Sequence, residues 1–269
     1  MTPAGLPVWL NGRIIDQAEA RIDPADRGLL LGDGLFETMR VAGGVVRHFP
    51  LHMDRLAHGA GVLMLPPPDR GLIAQAAADL LAACGVQNGA LRLTLTRGPG
   101  PRGLLPPPEV RPTVLLTATA SLPSATPVRL VTASHRRDEE SVLSRIKSLN
   151  YLPSILARME AAGRGADDAL LLNRAGHVAE TSASTLVAII EGEALTPPVH
   201  DGALPGIARG VLLAAGLLRE GRLSPAMLRG AGAVFALNSL SAREVVAIDG
   251  HELPRQPAML AGLAAHLED

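Results

Sequence analysis

Lys147 is the only lysine in this 269-residue chain; the other 24 of its 25 Lys and Arg residues are arginine. A guanidinium serves wherever charge alone is needed, but it stays protonated in proteins and forms no imine with an aldehyde. One amine kept in an arginine-rich chain points to amine chemistry, against the alternative that an Ala/Arg/Pro-biased composition left one lysine by chance. The neighbours must decide. Glu180 lies in His177-Val-Ala-Glu-Thr-Ser-Ala-Ser-Thr185, on an expected short strand after an Asn173 to Gly176 turn. A lone strand glutamate is ordinarily solvated, yet a lysine and a carboxylate together suit a cofactor that offers an aldehyde and needs its ring nitrogen protonated.

Pyridoxal phosphate is that cofactor, and it also needs a phosphate cradle. Three segments could supply one: Arg55 in His52-Met-Asp-Arg-Leu56, Gly206-Ile-Ala-Arg209 at an expected helix start, and Asn238-Ser239 at an expected strand end. Helix N-terminal amides favour an anion, and arginine adds a fork of donors. Taken singly, each is also compatible with a surface arginine or an ordinary helix start.

Composition narrows the alternatives. A net charge of -1 with 19% charged residues gives no basic face for nucleic acid or anionic membrane. Met1 to Leu10 lacks the pattern of a leader, and no run approaches the roughly 18 apolar residues of a membrane span, so a cytoplasmic location is expected. Cys84 stands alone and the eight histidines lack H-E-x-x-H spacing, so neither an intramolecular disulfide nor a metal site is expected. Aromatics are few, so a flat cofactor would be sandwiched mainly by aliphatic side chains.

The elements that must position these groups are legible in outline. Asn11-Gly12 between two apolar runs predicts a hairpin over 8–15, and Ala42-Gly43-Gly44 predicts a second between 36–41 and 45–49. Helical spacing predicts helices over 51–64 and 72–84, with Pro50 and Asp69 as starts. Strands are expected at 91–96 and 113–118, closing an α+β domain over 1–118. The polar, proline-containing stretch 119–127 reads as an interdomain loop. A second α/β domain over 128–269 would hold strands at 128–132, 169–172, 186–190, 234–237 and 245–248 and helices at 153–162, 207–218, 224–228 and 257–266.

In order and spacing, Asp26-Arg-Gly-Leu-Leu-Leu-Gly-Asp-Gly-Leu-Phe-Glu-Thr38, His52 to Leu56, Arg145 to Tyr151, Glu180 to Ser184, Leu204 to Arg209 and Asn238 to Leu240 form one ordered set. This set resembles the class IV (fold-type IV) pyridoxal-phosphate enzymes, which include branched-chain and D-amino-acid aminotransferases and aminodeoxychorismate lyase. The resemblance implies a two-domain α/β (α+β) fold of the D-amino-acid aminotransferase type, a homodimer, and an active site in the interdomain cleft. It implies that Lys147, carried by the C-terminal domain, is the Schiff-base lysine and that Glu180 partners the pyridine nitrogen. Arg55, the backbone at Ile207 and Ala208, and the Asn238-Ser239 turn would hold the phosphate, while Leu204 would cover one ring face. Ala208 stands where many members carry a hydroxyl, and Thr185 replaces a common Asn. Tyr151 occupies a variable position, which leaves open whether its phenol reaches the cofactor's O3′.

On motifs, the resemblance is nearest to the lyase, which converts 4-amino-4-deoxychorismate to 4-aminobenzoate and pyruvate in folate biosynthesis. Arg97-Gly-Pro-Gly-Pro-Arg-Gly103 is similar to the lyases' Arg-Gly-x-Gly-x-Arg-Gly loop, and Leu31 lacks the tyrosine of many transaminases. Arg97 or Arg102 is expected to pair with a substrate carboxylate, with Thr38 lining the pocket near the leaving group. The alternatives are an aminotransferase for branched-chain or D-amino acids with 2-oxoglutarate, and a non-catalytic pyridoxal-phosphate-binding protein.

Overall fold

Asn11 and Gly12 both take positive φ (46° and 98°), as a two-residue hairpin turn requires. In the computed structural model, which describes residues 5–268, they join β1 (Val8–Leu10) to β2 (Arg13–Ile15). The expected domain ends at residues 1 and 269 lie outside the described residues. The chain divides into two units: the described residues up to Leu122 with Ile146–Asn150, and Pro123–Arg145 with the described residues from Tyr151.

The first unit continues through α1 (Arg27–Leu31), β3 (Gly34–Ala42), β4 (Val45–Val46), α2 (Phe49–Val62), α3 (Arg70–Cys84), β5 (Gly89–Thr96) and β6 (Thr113–Thr119). Its six strands form an antiparallel sheet in the order β2-β1-β6-β5-β3-β4. The strand expected over 45–49 stops at Val46, because Pro50 presets φ for a first helical turn and α2 begins at Phe49. Asp69 caps α3 by accepting from the Leu72 amide at 2.7 Å, and Gly85 ends it at φ 63°. Along β3, the period-2 alternation points Leu35, Glu37, Met39 and Val41 to one face, all but wholly buried. With Leu91, Leu93 and Leu95 of β5, the apolar members Leu35, Met39 and Val41 pack against Met53, Leu56 and Ile73 of the helices. Each such side chain contributes about 1.5–3 kcal/mol by leaving water.

The second unit contains β7 (Val128–Thr132), α4 (Leu152–Gly163), β8 (Asp168–Leu172), β9 (Val178–Thr181), β10 (Thr185–Ile190), β11 (Glu193–Thr196), α5 (Ile207–Ala214), β12 (Arg219–Glu220), α6 (Pro225–Arg229), β13 (Ala233–Leu237), β14 (Ala242–Ile248), β15 (His251–Glu252) and α7 (Pro257–Ala265). Its sheet runs β12-β11-β10-β13-β14-β7-β8-β9, with β15 beside β14, and is parallel at β14–β7, β7–β8 and β11–β12. Both faces are covered. Leu186 and Ala188 of β10 join one apolar cluster, while Val187 and Ile189 join another with Leu212 of α5 and Leu263 of α7. That double burial explains why these strands read as continuous apolar runs. α5 stops at Ala214, short of the expected Leu218, because Gly216 turns left-handed at φ 69°. Among the described residues, no helix is long and apolar enough to cross a membrane.

The lysine segment differs from expectation. Ile146–Asn150 belongs to the first unit rather than to the C-terminal domain. It pairs with the start of β3: the Phe36 amide donates to Lys147 O and the Leu149 amide to Gly34 O, both at 2.9 Å. Gly34 permits this approach, since a Cβ there would lie 2.4 Å from the Leu95 carbonyl and 2.9 Å from Leu149.

Candidate active site

In the first unit, backbone pairing to β3 fixes Lys147, and its Nζ lies 4.3 Å from the centre of the Phe36 ring. Arg92, opposite Thr38 in the β3–β5 register, lies over the same ring at 3.9 Å. Phe36, Thr38 and Arg40 occupy the β3 face opposite the Leu35-to-Val41 core set. The structure thus groups Lys147, Phe36, Arg92 and Thr38 at one place. Leu31 ends α1 just before this strand and is 43% exposed.

Arg55 is on α2, held by a carboxylate that sequence reasoning missed. Its Nε donates to Glu37 Oε1 at 2.8 Å and its Nη2 to Oε2 at 2.5 Å. His52 Nδ1 meets Oε2 at 2.6 Å, and the Glu37 and His52 side chains are fully buried. Burial pushes Glu37 toward protonation, but hydrogen bonds and charge from Arg55 and His52 outweigh it and hold the carboxyl below its usual range. Burial also drives His52 below the ordinary histidine value, more than Glu37 raises it. His52 Nδ1 and Glu37 Oε2 share one hydrogen, and Arg55 is the counter-ion. The signal for Glu37 was its place in the buried alternation of β3.

Arg97, expected as one of two candidates for a substrate carboxylate, is engaged within the fold. Its Nε and Nη2 grip Asp33 at 2.8 and 3.0 Å, and its Nη groups also donate to the carbonyls of Leu63 (2.7 Å) and Met64 (3.2 Å). It is 5% exposed, whereas Arg102 is exposed. Arg27 shares Asp33 at 2.9 Å and donates to the carbonyls of Gly103 and Leu104 at 2.9 and 2.8 Å, so it clamps the end of the loop that carries Arg102.

In the second unit, Glu180 lies on β9, beyond the Asn173 to Gly176 turn. Its Oε2 accepts from the Leu204 amide at 3.0 Å and its Oε1 pairs with Arg137 Nη2 at 3.0 Å. Arg137 was not foreseen; no local motif marks it. Leu204 leads into α5, whose N-cap Gly206 offers no side-chain cap to the amides of Ile207 and Ala208. Asn238 serves the turn itself: its Oδ1 accepts from the Leu240 and Ser241 amides at 2.9 Å, and its Nδ2 donates to Ala183 O and Ser184 Oγ. Both amide hydrogens are thus engaged within the fold, and the Asn238 side chain shapes the turn that carries Ser239. Tyr151 sits at the N-cap of α4, its carbonyl accepting from Ile155.

Group by group, each unit offers what one part of the cofactor expected from sequence requires. A fixed amine, a carboxylate anchored at both oxygens and an uncapped helix start are what an aldehyde, a ring nitrogen and a phosphate require.

The family model described as amino-transferase class IV matches residues 34–248. A D-alanine aminotransferase of Staphylococcus haemolyticus is 33% identical over 76% of this chain and 73% of its own length. The structure of a branched-chain aminotransferase from Thermoproteus uzoniensis, solved with norvaline, matches with TM-score 0.88 at 27% identity, over 97% of this chain and 93% of that one. That of the 4-amino-4-deoxychorismate lyase from Pseudomonas aeruginosa gives TM-score 0.83 at 32% identity, over 97% and 98%. Sheet order, flanking helices and this agreement along the sequence lead to one assignment: the chain belongs to the class IV aminotransferase family of fold-type IV pyridoxal-phosphate enzymes.

Proposed function

We propose that the chain is a pyridoxal-phosphate-dependent aminotransferase that moves the amino group of a branched-chain or D-amino acid to 2-oxoglutarate. The observation that carries this over the lyase is the burial of Arg97 against Asp33, which withdraws the first arginine of the lyase-like loop from substrate contact. The similarity to aminotransferases for D-alanine and branched-chain amino acids supports the same reading.

When bound, pyridoxal phosphate supplies an aldehyde that condenses with amines and a ring that spreads the charge left by a departing α-proton. Lys147 Nζ would hold the cofactor, and as a free amine the same nitrogen would carry the substrate's α-proton. Glu180 accepts a hydrogen bond from the ring nitrogen and favours its protonated form. Arg55, fixed by Glu37, binds the phosphate together with the amides of Ile207 and Ala208 and with Ser239. Ala208 leaves this cradle one hydroxyl short of many relatives. Leu204 would cover the ring, Tyr151 would be the candidate for O3′, Leu31 and Thr38 would line the substrate pocket, and Arg102 would bind the substrate carboxylate. The family reading also carries a homodimer and a cytoplasmic location; a single sedimenting species at the monomer mass would contradict the dimer.

Release of pyruvate from 4-amino-4-deoxychorismate remains the second reading, favoured by the similarity to the Pseudomonas enzyme and by the exposed Arg102. One assay separates the readings. Amine-dependent bleaching of the bound cofactor, reversed by a keto acid, supports transamination, and pyruvate released without an acceptor supports the lyase. Visible absorbance that responds to no amine supports a non-catalytic binding protein.

A further inference from the structure

Glu180 is held at both oxygens, and the group on one of them is a cation. Arg137 Nη2 lies 3.0 Å from Oε1, with 18% of the arginine side chain and 12% of the glutamate side chain exposed. The arginine is not a wandering surface group. Its Nε donates to Gly202 O at 3.1 Å, its Nη2 to Ser144 O at 3.3 Å, and its backbone amide to Leu172 O at 2.8 Å. Gly202, at φ 100°, also leaves room for the arginine stem, since a Cβ there would lie 3.0 Å from Arg137 Cγ. One guanidinium thus ties β9 to the loop that leads to α5 and to the turn just ahead of the lysine segment.

Resting on the cofactor reading above, we propose that Arg137 is the positioning residue that keeps Glu180 ionised and aimed at the pyridine nitrogen. Its positive charge favours the carboxylate over the carboxylic acid, and its contact on Oε1, opposite the Leu204 amide on Oε2, holds that carboxylate at both oxygens, while its other N–H groups are fixed on Gly202 O and Ser144 O. Its charge also draws on the negative charge that Glu180 presents to the ring. Arg137 therefore sets the pH at which the ring nitrogen gives up its proton, and with it the strength of the electron sink. A lysine here would keep the charge and lose the fork.

The test uses the holoenzyme and two variants, Arg137→Gln and Arg137→Lys. In each, the pH titration of the cofactor's visible absorbance is recorded beside kcat and KM. Arg137→Gln is expected to lower kcat by about tenfold or more, as for loss of one charge-assisted hydrogen bond in the reacting state. It should shift the absorbance titration while leaving KM for the amino donor within about twofold. Arg137→Lys should recover part of both effects, which a merely structural role would not do. If Arg137→Gln fails to fold, Arg137→Lys carries the test through an intermediate kcat and a shifted titration. Wild-type kcat and titration in the folded variants would overturn the proposal while leaving the cofactor reading intact. A wild-type protein that fixes no cofactor on borohydride treatment would remove that reading, and this proposal with it.

Discussion

Arg97 and Asp33 form a two-point pair, Nε to Oδ2 at 2.8 Å and Nη2 to Oδ1 at 3.0 Å, across 64 positions of sequence. With Arg27 on the same carboxylate, Asp33 anchors both ends of the loop that carries Arg102. Arg97→Ala should therefore act on stability first. Removing one partner of a wholly buried pair costs about 3–5 kcal/mol; because Arg27 still holds Asp33, about 2–3 kcal/mol is expected. Urea unfolding measures this loss. Arg102→Ala should do the reverse, raising KM for acidic substrates while the unfolding midpoint stays put.

Acid should unfold the protein in two stages. His52 is held below the ordinary value chiefly by burial, so the unfolded chain takes up this proton before the folded one does. Stability is then complete above about pH 6.5 and declines as the pH falls toward the depressed folded value. Asp33 and Glu37 add a second stage. Burial raises both carboxyls, but their arginine partners, helped at Glu37 by His52, lower them further. Their contribution is present above the unfolded carboxylate values of about 4 and disappears as the pH falls through the folded ones. Unfolding free energies between pH 7.5 and 3 should show both limbs, and His52→Gln should flatten the upper one and weaken the Glu37 part of the lower one, leaving the Asp33 part in place.

Gly98 makes the same loop sensitive to one methyl group. Its φ is 79°, and a Cβ there would fall 1.9 Å from the Arg111 carbonyl. Gly98→Ala should lose at least about 1–3 kcal/mol from backbone strain. Because the Arg111 backbone, two residues ahead of β6, cannot yield cheaply, the loop must move. Calorimetry should record the lower Tm, and KM should rise with the displacement of Arg102.

A hydroxyl restored to the phosphate cradle should tighten cofactor binding. Ala208 is the second residue of α5 and 4% exposed, so serine is the smallest addition that tests the point. One neutral hydrogen bond of about 0.5–1.5 kcal/mol predicts a Kd for pyridoxal phosphate about 2- to 10-fold lower in Ala208→Ser. An unchanged Kd in an absorbance titration would remove the phosphate from this helix start.

Local chemistry was what the sequence displayed best. The Asn11-Gly12 turn, the Asp69 cap and the alternation of 91–96 each depend on neighbours a few positions away, and each appears where expected. Helix α1 and the two-residue strands β12 and β15 escaped notice because so few residues carry no period. Long-range pairing was equally hidden. Nothing near Lys147 announces that its segment pairs with β3, nothing near Arg97 announces Asp33, and nothing near Glu180 announces Arg137. Only Glu37 left a trace, as a charged residue inside the buried half of an alternating strand.

Reduction of the purified protein with borohydride in the presence of pyridoxal phosphate, followed by peptide mass mapping, tests the central claim most directly. The account predicts one phosphopyridoxyl adduct, on the peptide containing Lys147, and its loss in Lys147→Arg. An unmodified Lys147 would contradict it.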